Sequence, residues 1–312
     1  MKPTFLFCLL TIFTATVCPA QNSRYAGDPL LLGISARAQG MGNAFVAISE
    51  DVTALYWNPA GLAYLFRREL QIQHAEQFGG SINHDVFLFG MPFARGGLGL
   101  GIIRLGVDNI ALTSLEDPTK PLSPENRPVL TQRVGTTDYA IQMAYAHTFH
   151  AKIQAGATLK LIRRNLNIGT GTGYGLDLGV LYPINQHLRL GVVLRNATQT
   201  KIAFNTGIKD TLKPSLLMGL AYTHPIAMLK GKLTGSISFH FGEEKSGVEG
   251  VQGIQIGTEY MLKQTVALRM GLQDRHFTLG TGLKTRRFAL DLAFLSHHDL
   301  DNTYRISGSL YF

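Results

Sequence analysis

From Leu70 to its last residue the chain keeps one rhythm, with bulky apolar side chains at every second position. Phe277, Leu279 and Leu283 alternate with Thr278, Gly280, Gly282 and Lys284. Phe288, Leu290, Leu292 and Phe294 alternate with Ala289, Asp291 and Ala293, and Tyr174, Leu176, Leu178, Val180 and Tyr182 with Gly175, Asp177 and Gly179. A period of two is that of a strand, whose successive side chains point to opposite faces; a helix would need about 3.6. In these segments charge falls only on the face that carries no bulky apolar groups. About fourteen such segments begin near Leu70, Asp85, Leu98, Tyr139, Lys152, Tyr174, Leu188, Ser215, Lys232, Ile254, Thr265, Phe277, Phe288 and Thr303.

A sheet with one apolar and one polar face must cover the apolar side with another layer or with lipid. In lipid no backbone group can be left unpaired, so the sheet must close on itself. The expectation is an all-β fold, a transmembrane antiparallel β-barrel of about 14 strands. Mean hydropathy is only +0.08, the value of a chain whose apolar residues are spread over alternate positions. A water-soluble propeller or sandwich would also alternate and stands as the alternative.

The connections supply a second test, because a barrel with both termini on the periplasmic side alternates short inner turns with longer outer loops. Tight connections are expected around Phe149, Asn185, Lys263 and Thr285. Long polar ones are expected at Val107 to Thr137, Asn165 to Gly173, Asn196 to Pro214 and Gly242 to Gly253. Tyr145, Tyr182, Tyr222 and Tyr260 recur 37, 40 and 38 residues apart, one hairpin each, just before inner turns. Such tyrosines suit an aromatic girdle at one membrane interface. The last segment, Tyr304 to Phe312, ends in an aromatic residue where termini are usually polar. Tyr304, Leu310 and Phe312 therefore resemble the C-terminal signal read by the barrel-insertion machinery.

At the other end, Lys2 precedes an apolar run from Phe5 to Val17 and then Cys18-Pro19-Ala20. That run is shorter than the roughly 20 residues a membrane-spanning helix needs, and it reads as a signal peptide over 1–20. Lipidation at Cys18 is disfavoured by Val17 before it and Pro19 after it. Both cysteines, Cys8 and Cys18, lie in this segment, so neither disulfides nor cysteine catalysis is expected of the mature chain. The formal charge of +8 comes from Lys and Arg scattered singly, without a basic stripe, so nucleic acid is not an expected partner. Anionic lipid headgroups and a polar lumen are better destinations for those charges.

Between signal and barrel the rhythm stops. Gly33 to Ala47 does not alternate, Ser49-Glu50-Asp51 offers a helix start over Asp51 to Tyr56, and Asn58-Pro59 ends it. Ser35-Ala36-Arg37, Gly40-Met41-Gly42, Asp51 and Tyr56-Trp57-Asn58-Pro59-Ala60-Gly61-Leu62-Ala63 together resemble the PorV/PorQ family, which is related to the FadL fatty-acid channels. The resemblance implies a fourteen-stranded barrel with a plug or hatch over 21–66 and the wall over 67–312. Arg37, Gly40, Gly42, Asp51 and Trp57 would then lie inside the barrel, with Asn58, Pro59, Ala60 and Gly61 as the turn that feeds the first wall strand. It also implies a non-enzymatic role at the outer membrane of a Gram-negative bacterium of the Bacteroidetes type, binding type IX secretion-system subunits or secreted cargo. The alternative is a FadL-like channel for hydrophobic small molecules such as fatty acids. No cofactor is expected.

Other chemistry is weaker. His297-His298-Asp299 concentrates metal-ligand types, but adjacent side chains of an extended segment point apart, and a loop explains them. Gly169, Gly171, Gly173 and Gly175 lack the Lys-Ser/Thr of a phosphate loop and read as a hairpin loop. Ile202, Phe204 and Ile208 would form an exposed apolar patch on an outer loop or extend a strand.

Overall fold

The computed structural model describes residues 30, 32–77, 79–149, 152–167, 169–228, 230–243, 249–297 and 301–312. The expected signal peptide, its cysteines, the first residues of the expected plug, and His298 and Asp299 lie outside the described residues. Among the described residues three short helical turns come first: α1 (Ala36–Gly40), α2 (Ala54–Trp57) and a 3-10 turn, Pro59–Tyr64. Sixteen strands follow: β1 (Glu69–Gln77), β2 (Ile82–Phe93), β3 (Gly96–Leu115), β4 (Pro128–Phe149), β5 (Ile153–Leu166), β6 (Gly169–Pro183), β7 (Leu188–Arg195), β8 (Thr200–Phe204), β9 (Lys209–Leu212), β10 (Ser215–Ile226), β11 (Gly231–Glu243), β12 (Glu249–Leu262), β13 (Val266–Gln273), β14 (His276–Lys284), β15 (Phe288–Leu295) and β16 (Thr303–Tyr311).

All pairings of the described strands are antiparallel, and β16 returns to β1 with Tyr311 opposite Glu69 and Ile306 opposite His74, so the wall closes on itself. The wall contains fourteen strands. β8 and β9 add no wall position: β7 and β8 both pair with β6, β9 pairs with β8 and β10 with β7. Each couple is one long strand interrupted by a break, at Asn196–Gln199 and at Lys213–Pro214. Along the wall the faces separate as the alternation requires. In β15 the residues Phe288, Leu290 and Leu292 point out and are exposed, while Ala289, Asp291 and Ala293 are buried. No described helix is long and apolar enough to cross a membrane; the crossing is made by strands.

Four expectations about connections are corrected. The loop expected over Asn196 to Pro214 contains β8 and β9. Val107 to Thr137 is mostly hairpin: β3 continues to Leu115 and β4 starts at Pro128, with Ile110 opposite Val134. Beyond the lipid, strand side chains need not be apolar, so the alternation fades although the ladder continues. Only residues 116–127 form a loop, where Asn126 Nδ2 donates to the carbonyls of Asp117, Lys120 and Pro121. Hydrogen bonds from Thr119 and Lys120 hold the Asp117 carboxyl below its usual range. Strands likewise enter the expected loops Asn165 to Gly173 and Gly242 to Gly253, β5 running to Leu166 and β6 from Gly169, β11 to Glu243 and β12 from Glu249. Gly169, Gly171 and Gly173 are strand residues of β6, and Gly171 and Gly173 pair with Phe204 and Ile202 of β8.

Candidate functional site

The segment from Gly33 to Leu62 threads the lumen, and nearly all of it is buried. α1 is capped by Ser35, whose hydroxyl accepts from the Ala38 amide, and Ser35 N–H in turn donates to the Gln73 side chain of β1. Gly40 and Gly42 lie close against the wall. A Cβ on Gly40 would stand 2.9 Å from the Gly280 Cα, and one on Gly42, at φ +59°, 2.6 Å from the Leu272 carbonyl oxygen. The Gly42 amide donates to Thr278 Oγ1 at 3.0 Å. Farther along, Trp57 Nε1 donates to the Ile34 carbonyl at 3.0 Å, and its ring packs edge-on against Tyr56 at 5.0 Å.

The helix expected over Asp51 to Tyr56 begins later, at Ala54. Ser49 does not cap it, since its hydroxyl donates to the Phe45 carbonyl at 2.7 Å; the Asp51 carboxylate instead accepts from the Thr53 amide at 3.0 Å. Asn58 then ends the helix in extended conformation, and its amide group donates to the Val46 carbonyl at 3.0 Å and to the Val180 carbonyl of β6 at 3.1 Å, while Oδ1 accepts from Ala60 N. One asparagine thus ties plug, turn and wall together, and Pro59, Ala60 and Gly61 are packed beside it.

Charge holds one side of the plug. Arg37 meets Glu259 of β12 with two parallel bonds, Nε to Oε2 at 2.9 Å and Nη2 to Oε1 at 2.8 Å, and Asp51 at 3.0 Å. Arg269 of β13 continues the chain, donating to Glu259 and to Asp291 of β15, each at 2.7 Å. The Glu259 and Arg269 side chains are only 2% exposed, so neither can exchange its partner for water. The alternation signalled these positions, since each is a charge on the inward face of a strand; nothing in the sequence signalled that they meet Arg37.

The opposite side is apolar. Inward-facing Leu88, Ile103, Ala140, Ala144, Ile162 and Ile202 form one cluster with Leu55, Tyr56, Trp57 and Leu62 of the plug segment. Ile202, a candidate for an exposed patch, is therefore buried; Phe204 packs against the same cluster, and Ile208 alone of the three is exposed. Beside Leu30, Tyr56, Lys160 and Asp177 a gap of about 30 Å³ remains, room for a water or two. At the end of the barrel carrying the short turns a cavity of about 910 Å³ reaches inward to Arg37, Asp51 and Glu259. The plug separates the two.

Tyr145, Tyr182 and Tyr222 face outward and are exposed near the short-turn end, and Tyr260 is half-buried on the same outer face. Tyr304 and Leu310 also point outward, and the Phe312 ring lies 6.5 Å from Phe89 on the outer wall. The Phe312 and Arg68 backbones exchange hydrogen bonds at 3.0 and 3.1 Å, so the last residue is tied to the start of β1. His297 lies 4.8 Å, ring to ring, from His276, and the described residues contain no group of three metal-ligating side chains.

With this geometry in view, the chain is similar in fold to solved hydrocarbon channels. It matches the "CymD monoaromatic hydrocarbon channel" with TM-score 0.61 at 13% identity, over 90% of this chain and 98% of that one. The Pseudomonas putida toluene transporter TodX matches with TM-score 0.57 at 12% identity, over 89% and 97%. A Pseudomonas aeruginosa FadL homologue matches with TM-score 0.52 at 10% identity, over 88% and 97%. At these identities the likeness establishes the FadL-like barrel fold. A family model described as "F plasmid transfer operon, TraF, protein" matches residues 162–283, a stretch of wall. No curated protein matches. The narrower resemblance to PorV/PorQ rests on the plug motif alone.

Proposed function

We propose that this barrel is an outer-membrane channel for hydrophobic small molecules, with the plug as its gate. The observation that carries the reading is the apolar strip from Leu88 and Ile103 through Ile162 to Ile202, which runs continuously beside the plug. Plug side chains fill this strip in the closed arrangement, and once the plug shifts it offers an apolar solute a surface it can wet. Support comes also from the fold, shared with proteins named as aromatic-hydrocarbon channels and a toluene transporter. With about 30 Å³ free beside Tyr56, passage requires the plug to shift. The test is uptake of radiolabelled toluene and oleate by cells that lack their own channel of this kind and express the full chain. Uptake several-fold above empty-vector cells is expected for at least one of the two; equal rates for both overturn the reading.

A second reading, recognition of secreted cargo or secretion-system subunits at the surface, is favoured by the long β3–β4 hairpin. Its tip region exposes Leu122 and Leu130 at 69% and 54%. Deleting residues 113–130 separates the two readings: a channel keeps its uptake, and a cargo binder loses co-purified partners while the barrel still inserts.

A further inference from the structure

The turns at the two ends of the barrel differ in charge in a way the channel reading does not use. At the end where β1 begins, the short connections 94–95, 150–152, 184–187, 227–230, 263–265 and 285–287 contain Arg95, Lys152, Lys230, Lys263, Arg286 and Arg287 and not one carboxylate; Arg67 and Arg68 add to the same rim. Acids such as Glu116, Asp117, Glu125 and Asp274 sit in connections at the other end. The turns of this rim thus carry cations alone, whereas the acids at the other end stand among Lys120, Arg127, Lys213 and Arg275.

The cavity of about 910 Å³ opens beneath one sector of that rim, with Lys230, Lys263 and Arg286 at its mouth and Arg67 beside them. Five acids line the cavity against eight cations: Glu259, Asp51 and Glu50 meet Arg37, Asp291 meets Arg269, and Glu69 accepts from the Val52 amide. Among the described residues no carboxylate pairs with Lys230, Lys263 or Arg286. Tyr311 also faces the cavity, its ring 3.9 Å from the Arg67 guanidinium, and provides a flat apolar surface between cations.

We infer that this rim and cavity form a docking site for an acidic segment of a soluble protein partner, with the unpaired cations at the mouth recognising its carboxylates. The charge at the cavity mouth comes from three separate turns and the segment leading into β1, which suits a segment carrying several carboxylates better than one small anion. The cavity volume lies in the range of about 300–1,000 Å³ typical of ligand sites, enough to seat a short side-chain-bearing segment. Lipid headgroups meet the outer face of the wall, whereas Lys230, Lys263 and Arg286 border the lumen. Unopposed charge of one sign around a concave mouth also steers an oppositely charged partner toward it.

The experiment uses the full chain purified in zwitterionic detergent and a fluorescein-labelled decapeptide of alternating Glu and Ala, followed by anisotropy. Binding is expected at low salt, weakening as ionic strength rises, and at least tenfold weaker in the Lys230→Glu, Lys263→Glu, Arg286→Glu triple variant. The Arg133→Glu, Lys209→Glu variant at the opposite end should bind as the unaltered chain does, and a Gln-Ala peptide should not bind. All three replaced residues of the rim are exposed, and heat-modifiable migration on gels confirms that each barrel is folded. The inference is overturned if the peptide does not bind, if the triple variant binds equally well, or if the chain in nanodiscs retains anionic lipid through these three residues but takes no peptide. Hydrocarbon uptake is measured separately, so loss of one reading leaves the other standing.

Discussion

Against β12, β13 and β15 the plug is held by charge, from Asp51 through Arg37, Glu259 and Arg269 to Asp291, whereas against β2 to β5 it is held by Leu55 and Leu62 packed on Leu88, Ile103 and Ile162. The two arrangements respond differently to disturbance. Apolar packing is non-directional and loses stability in proportion to the volume removed. A buried ion network depends on every member, because a charge left without its partner cannot recover water. The charged side therefore fixes where the plug sits, and on the apolar side, where only about 30 Å³ is free, movement of the plug means repacking. That division suits a gate with one anchored face and one yielding face.

The comparison is most readily broken at Glu259. Replacing it by alanine leaves Arg37 and Arg269 buried without their shared carboxylate, and a loss of about 3–5 kcal/mol is expected. Trp57, the single tryptophan, sits in the plug, so its fluorescence during denaturant unfolding in micelles reports the loss. No shift in midpoint would show that the charged side does not anchor the plug. Leu55→Ala, on the apolar side, is expected to cost about 2–5 kcal/mol by the same measurement. The difference between the sides then sharpens in function: Leu55→Ala should preserve or raise hydrocarbon uptake, and a variant that abolishes it would mean that the apolar face is the anchored one. Smallest is Gly280→Ala, whose added methyl meets the Gly40 Cα and should cost about 1–3 kcal/mol. An effect below a few tenths would mean that wall and plug are not in close contact there.

Much of the wall was legible in the sequence. All fourteen expected segments coincide with wall strands, because a strand crossing lipid must alternate to satisfy two solvents at once. The same cause explains the misreadings. In residues 107–115 and 128–136 the ladder runs on past the lipid, both faces meet polar surroundings, and the rhythm that identifies a strand disappears. The glycines of β6 misled in another way: with side chains absent from the inward face, Gly171 and Gly173 make room for β8, and a strand shaped by its neighbour resembles a loop in isolation.

The plug was legible by motif but not by contact. Gly40, Gly42 and Asn58 stood out, yet their partners Gly280, Thr278 and Val180 lie far away in the chain, and no local pattern points to them. Arg37 and Glu259 are separated by 222 positions. The inward charges on β12, β13 and β15 could be found one at a time as exceptions on a polar face, but not joined into a network.

By itself the sequence determined which residues face lipid and which face the lumen, where most turns fall, and that the sheet must close. All of these follow from a period of two and from the cost of an unpaired backbone group in hydrocarbon. Tertiary structure alone decided which lumen groups meet, that one flank of the plug is ionic and the other apolar, and that the cations of separate turns gather around one cavity. The reason is geometric: alternation is set by each residue and its neighbours, whereas contacts across a barrel depend on strand order, register and closure, which join residues hundreds of positions apart.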